Sequence, residues 1–284
     1  MPVAQTSLSL LHDYSLEMTA KDVEKLDSAR SLIPAGTRIN VTYLGNEDLA
    51  MRRVASSAVK QYGFVPVPHI SARRLESEDQ LREFVAALES DGTGSSVFVI
   101  GGDPETPSGP YQDSLDVIRS GILSEHGVTH VGIAGYPEGH PDISSEELWA
   151  ALEAKAATLK DAGIPGTIIT QFGFDVDPVI AWIESVRDRG IDLPIRVGVP
   201  GPAGIKRLLG YARRFGVGTS AGIAKKYGFS ITNLLGTAGP SRYIDELGSR
   251  LESNRHGRVN LHFYTFGGLT ETAEWIGNFE GGNK

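Results

Sequence analysis

Tyr14-Ser15-Leu16-Glu17-Met18 is a short apolar run with a carboxylate set inside it, and the residues after it, Thr19-Ala20-Lys21, contain no glycine. A doubly wound open sheet that binds a dinucleotide carries a Gly-rich turn behind its first strand, because the backbone there must approach a pyrophosphate closely. The missing turn favours a closed barrel, provided that the rest of the chain supplies the strands.

It does. Short β-rich apolar runs recur at 14–18, 38–43, 64–70, 96–100, 130–134, 166–171, 195–199 and 259–265. Amphipathic stretches with helical spacing lie at 21–33, 47–62, 77–88, 111–125, 144–162, 178–189, 203–215 and 271–279. Strands alternating with helices make parallel βα units, and eight of each make an α/β fold of the (βα)8 TIM-barrel type. The segment 218–254 is longer than one connection needs, and its pieces 220–227 and 241–252 read as extra helices before the eighth strand. No linker rich in Pro, Gly or Ser divides the chain, so residues 1–284 read as one barrel domain, with a frayed tail at 280–284.

Composition narrows the partners. Lys+Arg 27 against Asp+Glu 35 gives a net charge of -8, which disfavours nucleic acid, whose phosphates need a basic face. Zero cysteines exclude disulfides, thiolate nucleophiles and Cys-ligated metal, so the chemistry must use oxygen and nitrogen side chains. No run of 18 apolar residues and no basic leader is present, and the expectation is a cytoplasmic protein with no membrane segment. Nothing in the sequence assigns an oligomeric state.

In such a barrel the active site lies at the C-terminal ends of the strands. Those ends carry Glu17, Thr42 and Tyr43, His69 and Ser71, Gly101-Gly102-Asp103, Tyr136-Pro137-Glu138-Gly139-His140, Thr170-Gln171 and Tyr264-Thr265. A glutamate inside a strand is disfavoured, and burial would favour its neutral form, which suits a proton donor. The competing reading is that Glu17 faces solvent or pairs with a barrel Arg or Lys. Asp103 follows two glycines that let backbone approach a ligand, although Gly-Asp-Pro is also an ordinary turn. His69 and His140 read as ligands, acids or structural donors, and no second ligand stands at metal spacing from either, so no metal is expected. The pairs Gly101-Gly102 and Gly267-Gly268 are weak phosphate signals. Arg213-Arg214 and Lys225-Lys226 read as solvated helix faces, or as contacts for a phosphate or a polyglutamate tail.

Several of these strings together resemble the methylenetetrahydrofolate reductase family: Ser15-Leu16-Glu17, Val41-Thr42-Tyr43, Pro68-His69-Ile70-Ser71, Gly102-Asp103, Tyr136-Pro137-Glu138-Gly139-His140-Pro141, Thr170-Gln171-Phe172-Gly173-Phe174-Asp175 and His262-Phe263-Tyr264-Thr265. The resemblance implies that Glu17 is the catalytic acid and that Asp103, Gln171 and Tyr43 bind the folate. It further implies that Thr42, His69, Tyr136 and His140 contact the flavin or whatever takes its place. The implied reaction is reduction of 5,10-methylenetetrahydrofolate to 5-methyltetrahydrofolate, with protonation at N10 opening the ring before hydride arrives.

The chain departs from the family where FAD phosphates are held. Gly101 replaces an Arg, Thr158 and Leu159 stand where a basic pair is expected, with Lys160 one residue away, Met18-Thr19-Ala20-Lys21 replaces Phe-Phe-Pro-Pro, and Gly268 replaces an Arg. A pyrophosphate deprived of two or three charge-assisted bonds loses about 1.5–3 kcal/mol for each. The expectation is therefore direct hydride transfer from NADH or NADPH to the folate, the two dinucleotides being equally open, with an FAD-dependent version as the alternative. The rival readings are a reductase of another pterin or imine, and a non-catalytic barrel that binds folate or a protein partner.

Overall fold

The computed structural model describes residues 6–45, 47–217 and 237–282. Eight parallel strands close into a barrel in the order β1-β10-β7-β6-β5-β4-β3-β2. They are β1 (Ser15–Thr19), β2 (Arg38–Thr42), β3 (Val65–Ser71), β4 (Ser96–Ile100), β5 (His130–Gly135), β6 (Gly166–Phe172), β7 (Ile195–Pro200) and β10 (Val259–Tyr264). Two further strands of two residues each, β8 (Ala203–Gly204) and β9 (Thr237–Ala238), pair antiparallel outside the barrel. Each barrel strand begins within one residue of its expected position, because the apolar runs that mark the strands are what the barrel buries.

The alternation of side chains along each strand divides the core in two. Outward residues such as Leu16, Ile39, Val97, Val131 and Leu261 pack under the helices in one large cluster. Inside the barrel, Val67, Phe98 and Ile169 form a separate small cluster with Ile100 and Ala134. That interior apolar patch belongs to β3–β6. The opposite wall, formed by β10, β1 and β2, places Ser15, Glu17, Asn40 and His262 inside, and a polar half-lumen is the consequence.

The floor of the barrel is closed by a short helix, Ser7–Leu11, that the sequence reading missed. Thr6 caps it reciprocally with Ser9, and Leu10 and Leu11 are buried. It packs against Ser241–Arg250, where Gly248 is required because a Cβ would stand 2.9 Å from the Ser7 backbone N. Just after it, Asp13 accepts from Arg38 (2.7 Å), Arg196 (2.8 Å) and Arg258 (2.6 Å).

Several helices differ from expectation. The stretch 111–125 is two helices, Ser114–Arg119 and Ile122–Glu125, split where Gly121 takes φ 78°. The first connection divides into a 3-10 turn, a helix Val23–Ala29 and a second 3-10 turn. The extra helix before β10 is Ser241–Arg250, followed by one turn at Ser253–His256, while the expected helix 220–227 lies outside the described residues. The last helix runs Leu269–Gly282, so much of the tail expected to fray is helical. Among the described residues no helix is long and apolar enough to cross a membrane.

Candidate active site at the barrel mouth

Glu17 stands on β1 between Asn40 of β2 and Tyr264 of β10 in register. Thr265 fastens this end of the strand by donating its hydroxyl to the Glu17 carbonyl at 2.6 Å. The Glu17 side chain is 19% exposed, and Oε2 lies 3.7 Å from His262 Nε2 and 4.0 Å from His69 Nε2. Among the described residues, no Arg or Lys forms an ion pair with it. The carboxyl therefore looks out from the mouth between two imidazoles.

The two imidazoles are unlike. His69 is buried, and burial first, then the neighbouring His262 and Arg52, hold its pKa well below the usual histidine value, so it is neutral. Its Nε2 accepts from Asn40 Nδ2 at 3.1 Å, and its ring tilts against Phe98 at 4.8 Å. His262 is fully buried. Its Nδ1 lies 2.8 Å from Ser15 Oγ, while Nε2 has no hydrogen-bond partner and faces Glu17. Tyr264 closes the group, with its ring edge-on to His262 and its hydroxyl donating to Thr170 O at 3.1 Å. Burial, then the nearby Glu17 and Tyr136, push that phenol well above its ordinary value, which leaves it a neutral hydrogen-bonding group.

A second cluster gathers at the ends of β2 and β4. Two guanidiniums lie over the Tyr43 ring, Arg52 at 4.0 Å and Arg74 at 5.0 Å from its centre. Arg74 also donates to Asp103, at 2.9 Å from Nε and 2.5 Å from Nη2. Arg52 is buried, which lowers its pKa to about 10, and it donates to the His69 carbonyl. Tyr43 and Asp103, both expected at the folate site, are thus tied together through Arg74, with the Asp103 side chain 72% exposed. Thr42 pairs in register with Thr19 beside them.

The third cluster follows β5 and β6. Tyr136 and His140 meet edge to face at 5.5 Å, and His140 Nδ1 accepts from the Asp142 N–H. Strand β6 carries a bulge, since Ile169 pairs with Arg196 but Phe172 with Gly198, three residues set against two. The extra residue turns Phe172 into an aromatic nest with Phe174, Tyr264 and Phe266. Gln171 sits on the bulge, and its Oε1 accepts from the Phe172 N–H at 3.1 Å. Among the described residues no hydrogen bond or ion pair joins Asp103 or Gln171 to Glu17; the clusters meet through Arg52 on the His69 carbonyl and the Tyr264 hydroxyl on Thr170 O.

Sequence reasoning picked out Glu17 and His69 but passed over Asn40, Ser15 and His262 as site residues. The signal was parity: each lies an even number of residues from a strand-end group already noted, Asn40 from Thr42, Ser15 from Glu17 and His262 from Tyr264.

The FAD phosphate positions fit poorly. Leu159 is fully buried in the core of its helix, Ser145–Asp161, and Thr158 spends its hydroxyl on the Ala154 carbonyl at 2.8 Å. Lys160 is exposed. Nearby Arg73 is committed to the carbonyls of Pro104, Glu105 and Gln112, and Arg74 to Asp103. Arg213 and Arg214 are exposed on their helix, and Lys225 and Lys226 lie outside the described residues. A cleft of about 350 Å³ between Ser145–Asp161 and Val176–Asp188 lies behind β5, beside stacked Trp149 and Trp182. Among the described residues, Tyr136 is the only titratable residue on its lining.

The family model described as methylenetetrahydrofolate reductase matches residues 14–218. Methylenetetrahydrofolate reductase 2 of Saccharomyces cerevisiae is 34% identical over 127 residues, 42% of this chain and 20% of that protein. Methylenetetrahydrofolate reductase (NADH) 1 of Zea mays is 30% identical over 162 residues, 52% of this chain and 26% of that protein. The matches thus span a fifth to a quarter of those relatives' lengths. Dihydropteroate synthase from Thermus thermophilus superposes with a TM-score of 0.50 at 13% identity, covering 98% of each chain, a likeness of fold alone.

Proposed function

As the chain belongs to the methylenetetrahydrofolate reductase family, we propose that it reduces 5,10-methylenetetrahydrofolate to 5-methyltetrahydrofolate with hydride taken directly from a nicotinamide dinucleotide, and that Glu17 supplies the proton. The observation that carries the reading is the Glu17 carboxyl at the end of β1, partly exposed at the mouth and flanked by two imidazoles. A carboxyl so placed reaches a substrate laid across the mouth, and its proton at N10 opens the five-membered ring to a 5-iminium cation. Hydride then adds to the exocyclic carbon, and the negative charge left on Glu17 lies beside the cation as it forms.

Tyr43 and Asp103, organised by Arg74, make the wall that takes the pterin edge, and Gln171 on the bulge offers a donor and an acceptor from the other side. Turning the Gln171 amide away from its own backbone is the cost of that contact. Thr42, His69, Tyr136 and His140 line the space for the nicotinamide, and neutral His69 repels no cationic ring. Direct transfer is supported by Leu159 and Thr158, which give a flavin pyrophosphate no charge. NADH is the preferred donor, in line with the name of the maize relative. The setting that fits this reaction is the cytoplasm.

The test is aerobic and simple. Purified protein should oxidise NADH when methylenetetrahydrofolate is added and no flavin is present, with no flavin absorption band in the visible. A yellow protein whose turnover requires FAD overturns direct transfer, and absence of turnover with either donor overturns the reaction.

A further inference from the structure

The cleft behind β5, about 350 Å³ between Ser145–Asp161 and Val176–Asp188, falls within the roughly 300–1,000 Å³ of small-molecule sites. Small residues shape it. A Cβ on Gly135 would stand 2.6 Å from Trp182 Cη2, and Ala181 and Gly139 keep the rim low. The walls are three aromatic residues, Tyr136, Trp149 and Trp182, with Leu148 and Leu152. Trp149 is held by its neighbours: Trp182 stacks on it at 5.9 Å, and Arg189, paired with Glu153 at 3.2 Å, lies 4.2 Å from its ring centre. Among the described residues no charged side chain lines the cleft, so it suits a neutral planar ring that gains from aromatic contact and needs no ionic partner.

Tyr136 belongs to both the cleft and the mouth. Its ring meets His140 edge to face at the mouth, and the cleft begins behind the same strand end. The turn between them closes with the Gly139 N–H donating to Tyr136 O at 3.1 Å. Gly139 is exposed at φ 82°, and a Cβ there would meet nothing within 4 Å, so a ligand chain has room to cross. His140 Nδ1 accepts from the Asp142 N–H, which leaves the ring hydrogen on Nε2 for donation to such a chain. The other flank of the helix Ser145–Asp161 packs on Ser114–Arg119 and buries Lys155 toward Asp113, so the open side is the one toward Val176–Asp188.

We propose that the cleft is the adenine site of the dinucleotide: nicotinamide lies on the mouth side of Tyr136, the pyrophosphate crosses the turn over Gly139 and past His140, and the adenine enters against Trp149 and Trp182. The inference rests on the reading of the chain as a reductase that takes hydride from a nicotinamide dinucleotide, and it names where the rest of that molecule is held. Adenine is planar and uncharged at neutral pH, and stacking of a base on aromatic side chains is worth roughly 10- to 100-fold in affinity. A 2′-phosphate would find no cation on the lining among the described residues, which favours NADH over NADPH. Adenine takes no part in hydride transfer, so what this remote end contributes falls on KM.

One arm of the test needs no turnover. Adenosine 5′-monophosphate should quench the tryptophan fluorescence of the wild type, and Ala181→Leu, which fills the cleft from an exposed helix position, should abolish the quenching. In turnover, replacing NADH by reduced nicotinamide mononucleotide, which lacks the adenosine half, should raise KM at least about tenfold with kcat within about twofold. Ala181→Leu should raise the KM for NADH by a similar factor and leave that for the mononucleotide as it is. Equal KM values for the two donors in the wild type overturn the proposal, as does quenching that survives Ala181→Leu. An Ala181→Leu variant that loses the quenching but keeps the wild-type KM for NADH also overturns it, and makes the cleft a separate nucleotide site. Quenching lost in Ala181→Leu, in a protein that oxidises no NADH with methylenetetrahydrofolate, keeps the adenine site and removes the proposed reaction.

Discussion

Glu17 owes its character to its neighbours. A carboxyl paired with Arg or Lys is a poor proton donor, because the ion pair holds it ionised, and among the described residues no Arg or Lys pairs with Glu17, whose near neighbours are two imidazoles. Glu17→Gln keeps the volume and a polar head but has no acidic proton. Its turnover should fall by at least about 10²-fold while folate affinity, followed by fluorescence titration, stays within about threefold. Near-normal turnover would remove Glu17 from the chemistry. The residue itself was legible as a carboxylate out of place in a strand. For Ser15 and His262 the sequence offered only parity with Glu17 and Tyr264, which gives the face they share and not that the closed barrel sets them against each other.

At the scale of elements, the bulge in β6 decides where Gln171 and Phe172 go. Gly198 of β7 makes it possible: a Cβ there would stand 2.4 Å from Thr170 O and 2.9 Å from the Gln171 carbonyl, and its N–H donates to Thr170 Oγ1 at 2.8 Å. Gly198→Ala should destabilise the protein by about 1–3 kcal/mol in urea melts and weaken folate binding by displacing Gln171. Unchanged stability and affinity would show that the bulge does not depend on the close approach. The Thr-Gln-Phe string marked the site in the sequence, but its register shift was invisible, because a bulge is a relation between two strands.

For the molecule as a whole, the two ends of the barrel divide the work. The mouth holds the partly satisfied polar groups, whereas the floor is closed by Asp13 and three arginines, with Arg196 buried. Burial pushes Asp13 upward, but Arg196, Arg38 and Arg258 outweigh it and hold its pKa below the ordinary 3.8. A depressed carboxyl pKa adds stability above the unfolded value that is lost as the pH falls through the folded one. Asp13→Asn should cost about 2–3 kcal/mol at neutral pH, less than for a fully buried pair since Arg38 and Arg258 are partly exposed, with turnover per folded molecule unchanged. The gap between wild type and variant should narrow as the pH falls below about 4, as the wild type then loses the charge too. A pH-independent gap, read by urea melts at several pH values, would assign the loss to packing.

By itself the sequence determined the barrel and the identity of its strand-end residues, because apolar runs at βα spacing have few ways to be buried and the mouth gathers whatever ends each run. It also placed Glu17 first among those residues. Only the tertiary structure decided what surrounds Glu17. The Ser15–His262 pair, the Asn40 amide on His69 and the Arg74 bridge from Tyr43 to Asp103 join residues from 29 to 247 positions apart, and such contacts exist only after the barrel has closed.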